Sequence, residues 1–272
     1  MAGPTMSAKA NWVIITGASS GLGKALASEF AAGSFNLFLT GRNEVALEQV
    51  AAECRQKFNV ETRIFPVDLS TVNGIDSLIQ SLFRTDLEYS VLVNNAGFAV
   101  KGEFTALDVE CELQLMNVQL SAMLKLTRAV LPKMLERKAG RILNVASVYS
   151  FASVPFQAVY SACKAFMMSF STSLSNELQG TGVTVTTIYP GITQTAFRSR
   201  AGIAEKNKAA GMPAQAVARI AYKALFKGKK HVVPGIVNRL FVFVARHLPP
   251  SLFARVASLI NNQRGVNRSA KS

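Results

Sequence analysis

Tyr160 and Lys164 stand four residues apart in the stretch Val159–Phe166, VYSACKAF. On a helix that spacing puts two side chains on one face. A free phenol titrates near ~10, too high to exchange protons readily at neutral pH. A neighbouring ammonium favours the phenolate, so Lys164 is expected to lower the Tyr160 pKa. Each unit of lowering is worth about 1.4 kcal/mol. A phenol tuned toward neutrality serves as acid or base on an alcohol or carbonyl. A carbonyl that accepts hydride develops oxyanion charge and needs a donor placed to meet it. Ser147 ends the apolar run GRILNVAS and lies thirteen residues before Tyr160. Its hydroxyl is the candidate to hold that carbonyl; Tyr149 and Ser150 are near, but the spacing favours Ser147. Cys163 has no histidine beside it and no reactive motif, so it reads as packing. His231 and His247 receive no catalytic role. The plainer alternative is that Tyr160 and Lys164 sit on an ordinary solvated helix face.

Chemistry of this kind needs a hydride carrier, and the N-terminal end of the chain offers a place for one. TGASSGLG (Thr16–Gly23) follows the apolar run WVIIT (Trp12–Thr16) and precedes a helical pattern. Glycine lets backbone approach a ligand closely, and a helix N-terminus suits a pyrophosphate. Gly17, Ser19, Ser20, Gly21, Leu22 and Gly23 are therefore candidate cofactor contacts. A second strand, NLFLT (Asn36–Thr40), ends in Gly41 and Arg42. An acid at that point would hold a free ribose 2′-hydroxyl and repel a 2′-phosphate; a guanidinium binds the phosphate in a fork. The expected cofactor is NADP(H), with Arg42 on its 2′-phosphate.

Short apolar runs continue to alternate with helical stretches: TRIFPV, SVLVNN (Ser90–Asn95), GRILNVAS, GVTVTTIYP and KHVVP. Helices are expected over 43–56, 72–83, about 107–137, 156–178 and near 213–226. Strands joined by helical crossovers imply an α/β fold with a parallel sheet covered on both faces. No linker divides the pattern, which implies a single domain.

Several separated motifs resemble the short-chain dehydrogenase/reductase family across about Trp12–Val233. They are TGASSGLG, VDL (Val67–Leu69), NNAG (Asn94–Gly97), Asn117 in LMNVQL, Ser147 in NVAS, YSACK (Tyr160–Lys164) and YPGITQT (Tyr189–Thr195). The resemblance implies a Rossmann-type, doubly wound, mostly parallel seven-stranded sheet and an NAD(P)-dependent oxidoreductase. It implies that Asp68 and Leu69 face the adenine, and that Asn95, Ala96 and Gly97 line the cofactor. Pro190, Gly191, Ile192 and Thr193 would flank the nicotinamide. Lys164 would hydrogen-bond the nicotinamide ribose, and the Asn117 main-chain carbonyl would hold a proton-relaying water. It also implies a homo-oligomer, dimer or tetramer, built through the helices at 107–137 and 156–178. Ser147, Tyr160, Lys164 and Asn117 are thus the candidate catalytic residues.

The expected organisation is a loose tail over 1–11, a catalytic unit over 12–234 and a helical extension over 235–272. Within the unit, 195–212 is the expected substrate loop. The substrate expected there is a small hydrophobic ketone or secondary alcohol, steroid-like, acyl or another lipid carbonyl. A 3-oxoacyl thioester reductase and a non-catalytic NADP sensor are the alternatives. Residues 201–272 hold thirteen Lys or Arg and one acid, Glu205, so they carry +12 of the formal +14. In the extension, Leu240, Phe241, Val244, Leu252, Phe253 and Ile260 interleave with Arg239, Arg246, Arg255 and Arg264. Apolar runs there are too short and broken for a membrane span. The segment either packs over the substrate cleft or another subunit, the favoured reading, or lies on an anionic membrane. No nucleic-acid motif accompanies the charge. Three cysteines without metal-ligand spacing imply no metal site and a reduced compartment, so a cytoplasmic protein, with or without peripheral membrane contact. No secretory signal is evident before Trp12.

Overall fold

The computed structural model describes residues 11–195, 197, 211–249 and 251–255. Most of the expected tail, the middle of the expected substrate loop and residues 256–272 of the extension lie outside the described residues.

Nine strands are present among the described residues: β1 (Trp12–Thr16), β2 (Asn36–Gly41), β3 (Thr62–Pro66), β4 (Tyr89–Asn94), β5 (Gly140–Val145), β6 (Val183–Ile188), β7 (Thr193–Gln194), β8 (Met212–Pro213) and β9 (His231–Val232). Seven of them form one parallel sheet in the order β3-β2-β1-β4-β5-β6-β9. The chain winds outward from β1 through β2 to β3, then returns to place β4 on the other side of β1. That reversal opens a crevice at the carboxyl ends of β1 and β4, where ligands of such sheets bind.

Eight α-helices are present among the described residues: α1 (Gly21–Ala32), α2 (Glu44–Phe58), α3 (Val72–Phe83), α4 (Val109–Met116), α5 (Ala122–Glu136), α6 (Ala158–Glu177), α7 (Ala214–Phe226) and α8 (Ile236–His247). Alternation along β1 supplies both layers. Val13 and Ile15 face a core with Leu26, Phe30, Leu47 and Val217 from α1, α2 and α7. Trp12 and Ile14 face the opposite core with Leu78, Leu126 and Leu174 from α3, α5 and α6. Strands buried on both faces need near-continuous apolar runs, which is what WVIIT and its neighbours provide. Each fully buried Leu, Ile or Phe contributes about 1.5–3 kcal/mol of hydrophobic stabilisation. Helix starts are set by side-chain caps: Asn43 accepts from the Ala46 N–H at 2.9 Å and Thr71 from the Gly74 N–H at 3.0 Å.

The single helical stretch expected over 107–137 is instead two helices. α4 and α5 are joined by a wide π-type turn, Asn117–Ser121, in which the Ala122 N–H bonds the Asn117 carbonyl. The Asn117 side chain is engaged sideways: its amide donates to the Ser70 carbonyl at 2.9 Å and its oxygen accepts from the Ser121 hydroxyl at 3.2 Å. Those bonds hold the widened turn in place. A small second sheet, β7 with β8, has no counterpart in the sequence pattern either. It brings the two ends of the 195–212 segment together.

Candidate active site

The glycine loop is clasped from the end of β4. Thr16 Oγ1 accepts the N–H groups of Asn95 and Ala96 at 3.0 and 2.9 Å. Asn95 Nδ2 donates to the carbonyls of Thr16 and Gly17 at 2.8 and 3.2 Å. Gly17 has φ +66°, and a Cβ there would lie 2.9 Å from the Ala96 Cα. A Cβ on Gly23 would run into the Gly17 carbonyl oxygen. Only glycines fit this turn, and they lead straight into the N-terminus of α1 at Gly21. Ser19 lies against Gly41, its hydroxyl 3.4 Å from where a Cβ on that glycine would stand. Arg42 follows as an exposed side chain with no partner among the described residues. Asp68 accepts the Ser70 N–H on one carboxylate oxygen at 2.9 Å, and Leu69 is buried behind it. Gly97 packs against Gln119, whose amide donates to the Phe98 carbonyl at 2.7 Å. Pro190, Gly191, Ile192 and Thr193 leave β6 on the far side, where the Pro190 carbonyl accepts the Val148 N–H at 3.0 Å. The glycine loop, Asn95 and Ala96 are thus brought together at the carboxyl ends of β1 and β4, with Thr195 against Gly21. A cradle that a Cβ would fill, a helix N-terminus and a β2 end without an acid fit a nicotinamide dinucleotide.

α6 carries Tyr160 and Lys164 beside this crevice, both nearly buried at 8% and 5% exposure. The Lys164 ammonium lies 5.6 Å from the centre of the Tyr160 ring and donates to the Val145 carbonyl at 3.0 Å. The Ser147 side chain lies beside the Tyr160 hydroxyl and favours its ionised form. Ser147 Oγ in turn accepts the Tyr149 N–H at 3.2 Å and starts the short 3-10 turn Val148–Phe151. Ser150, the rival serine, donates to the Lys164 carbonyl at 2.8 Å and anchors that turn to α6.

The electrostatics correct the expectation that Lys164 lowers the Tyr160 pKa. Burial holds the phenol well above its ordinary value, and the neighbouring Ser147 hydroxyl offsets only part of this. Burial likewise brings the Lys164 pKa down to about 8. Spacing identifies the neighbours, but desolvation decides the shift. Cys163 is a buried thiol pushed up to about 11 by burial, which leaves it inert. His231 bonds the Tyr189 hydroxyl through Nδ1 at 2.8 Å, a structural contact away from this set.

Aromatic rings wall the tyrosine. Tyr149 meets it edge-on at 6.3 Å between centroids, and Phe197 lies at 6.1 Å. Phe241 of α8 reaches Tyr149 at 6.4 Å and is itself met edge-on by Phe253 at 5.4 Å. The extension thus packs over the turn that carries Ser147.

A family model for short chain dehydrogenases matches residues 11–206. The chain belongs to that family. Dehydrogenase/reductase SDR family member 7B of Mus musculus is 33% identical over 256 residues, which cover 90% of this chain and 79% of the relative. Very-long-chain 3-oxoacyl-CoA reductase of Mus musculus is 38% identical over 184 residues, covering 66% of this chain and 58% of the relative. A solved short-chain dehydrogenase from Sphingobium yanoikuyae, in complex with NADPH, superposes with a TM-score of 0.78 at 27% identity and covers 96% of this chain and 98% of that one. This short-chain dehydrogenase is accordingly an oxidoreductase acting on CH–OH or C=O groups with a nicotinamide dinucleotide.

Sequence reasoning missed the supports of the site. Asn94 donates to Asn144 at 2.8 Å and to Thr127 at 3.3 Å, and Asn144 donates to Ser171 at 2.8 Å. This buried ladder ties β4, β5, α5 and α6 together behind the catalytic pair. Its members are 50, 33 and 27 residues apart in the chain, so no local pattern joins them. Paired polar residues in otherwise apolar strands were the only available signal.

Proposed function

We propose that this short-chain dehydrogenase is an NADP(H)-dependent enzyme of hydrophobic ketones or secondary alcohols, steroid-like, acyl or otherwise lipid-derived. The observation that carries the substrate class is the aromatic wall of Tyr149, Phe197 and Phe241 around the buried Tyr160. Such a lining favours an apolar body with one polar group. Cofactor preference rests on Arg42, unpaired and exposed at the end of β2 where an acid would select NAD.

A bound dinucleotide supplies or accepts the hydride. Ser147 holds the substrate oxygen by a hydrogen bond. Tyr160, kept protonated at neutral pH by burial, gives its proton to that oxygen in the reductive direction. Lys164, with a pKa brought to about 8, would hold the nicotinamide ribose and takes part in re-protonating the phenol. Asn117, fixed by Ser70 and Ser121 at the widened turn, positions the relay to the lysine. Asp68 and Leu69 would take the adenine; Asn95, Ala96, Gly97 and the 190–193 turn would line the rest. A homo-oligomer through α4, α5 and α6 accords with exposed Val109, Leu113, Leu124 and Phe166 on those helices.

The 3-oxoacyl thioester reading is favoured by one observation, the likeness to the very-long-chain 3-oxoacyl-CoA reductase. A single assay separates the readings: NADPH or NADH oxidation with steroid ketones, long-chain ketones and 3-oxoacyl-CoA. Hydrophobic ketones are expected to give kcat/KM at least about tenfold higher with NADPH than with NADH, which is about 1.4 kcal/mol. In Arg42→Ala that ratio should fall toward one. Equal use of both cofactors by the unaltered enzyme would overturn the NADP assignment. Turnover confined to 3-oxoacyl-CoA would establish the alternative.

A further inference from the structure

α8 has two unlike faces. Val242 and Ala245 are buried, and Phe241 leans on Tyr149. Asn238, on the same inner side, packs against Gly191 of the turn after β6 and donates to the Pro234 carbonyl. Ile236, Val237, Leu240, Phe243 and Val244 point the other way and are 82%, 81%, 62%, 60% and 39% exposed. Positions i, i+1, i+4, i+7 and i+8 make one continuous stripe along the helix. Exposed Arg239 and Arg246, seven residues apart, run along one edge of it.

A stripe of this size on a soluble surface marks something that covers it. Charge decides among the occupants. After Glu205 the sequence contains no acid at all, while Arg239, Arg246, Arg255, Arg264, Arg268 and Lys271 follow one another from α8 to the end. A second copy meeting this face across a two-fold axis would set cation against cation. A nucleic acid would meet the cations but leave the apolar stripe in water. An anionic lipid surface satisfies both, with the stripe among acyl chains and the arginines among headgroups. Twelve residues make a helix about 18 Å long, far short of the ~30 Å hydrocarbon core, so α8 lies on a bilayer rather than through it. No described helix is long and apolar enough to cross a membrane.

We propose that α8 docks this enzyme on an anionic membrane surface, stripe inward, with its opposite face resting on the Ser147 turn and the Gly191 turn. The docking helix is then also a wall of the active site, so the site opens beside the phase in which a hydrophobic carbonyl dissolves. The docking itself stands on the stripe and the charge, independently of the substrate class.

The test is co-sedimentation of the full chain with vesicles of phosphatidylcholine alone or of phosphatidylcholine with phosphatidylserine. At low salt, at least tenfold more protein should sediment with the phosphatidylserine vesicles, and added salt should reduce it. Val237→Glu with Phe243→Glu should abolish sedimentation while the thermal midpoint and NADPH binding stay as in the parent. Equal sedimentation with both vesicles, none with either, or unchanged sedimentation of the double variant would overturn the proposal. A change of oligomer mass in the double variant, without vesicle binding by the parent, would assign the face to a second copy instead. The sedimentation needs no turnover, so failure of the ketone assay leaves this result readable.

Discussion

Up to Arg200 the chain holds seventeen basic and fifteen acidic residues; beyond it, thirteen and one. The two regions also place their unusual groups oppositely. In the first, amides, hydroxyls and a lysine are buried and hydrogen-bonded, as in Asn94 with Asn144, Asn144 with Ser171 and Lys164 with the Val145 carbonyl. In the second, large apolar side chains stand in solvent along α8. A polar group is tolerated inside only when paired, because losing its hydration costs more than its partner returns if the geometry is poor. An apolar group is tolerated outside when something other than water meets it. The first region is therefore specified from within, by chemistry and folding, and the second from without, by what the enzyme touches.

The sharpest way to break that comparison is to remove the proton donor. Tyr160→Phe keeps the ring among Tyr149 and Phe197 and deletes only the hydroxyl. Turnover is expected to fall by roughly 10²–10⁴-fold, the usual worth of a positioned acid or base. NADPH binding, followed by its fluorescence, should persist. Near-normal kcat in this variant would return Tyr160 and Lys164 to the status of a helix face.

Lys164 tests the cost of that inward specification. Its folded pKa, about 8, lies below the ordinary 10.5 because burial disfavours the ammonium. Below pH 8 the folded protein carries this penalty in full. Between 8 and 10.5 the unfolded chain binds more protons, so the penalty shrinks and stability rises with pH. Tyr160 has a raised folded value and acts in the opposite sense only above its unfolded value of about 10. Lys164→Met should remove the rise, so the variant gains on the parent by at most about 3 kcal/mol at pH 7 and less at pH 9.5. Urea midpoints at the two pH values measure this. Parallel curves for parent and variant would contradict the buried ammonium. The same variant should lose turnover, so stability and activity move apart at one residue.

What could be read from the chain divides along the same line. The glycine loop, the β2 end at Arg42 and the Tyr160–Lys164 pair were legible because each is a local pattern whose spacing carries its geometry. The direction of the Tyr160 shift was not legible, since the lysine is four residues away but the burial comes from rings on three other segments, Tyr149, Phe197 and, behind Tyr149, Phe241. The break at Asn117 was hidden for a similar reason. Helical periodicity runs through both α4 and α5, and the bond that holds the turn comes from Ser70, 47 residues earlier. For α8, the sequence offers two roles as rivals, packing over the cleft or lying on a membrane. The helix has one face engaged in packing and another left open, so packing occupies only half of it.

The smallest expected effects contrast the two kinds of specification directly. Asn144→Ala removes the middle of the buried ladder and leaves the Asn94 amide and the Ser171 hydroxyl each short of a partner. Stability should fall by about 1–3 kcal/mol, the cost of orphaned buried groups. Val237→Glu places a full charge at a position 81% exposed, on a face left largely open among the described residues. Its effect should stay within about 0.5 kcal/mol, as for substitutions that leave no contact behind. Urea unfolding of both variants in one buffer tests the pair. A Val237→Glu loss as large as that of Asn144→Ala would mean that the stripe is covered within the protein, and that α8 is specified from within after all.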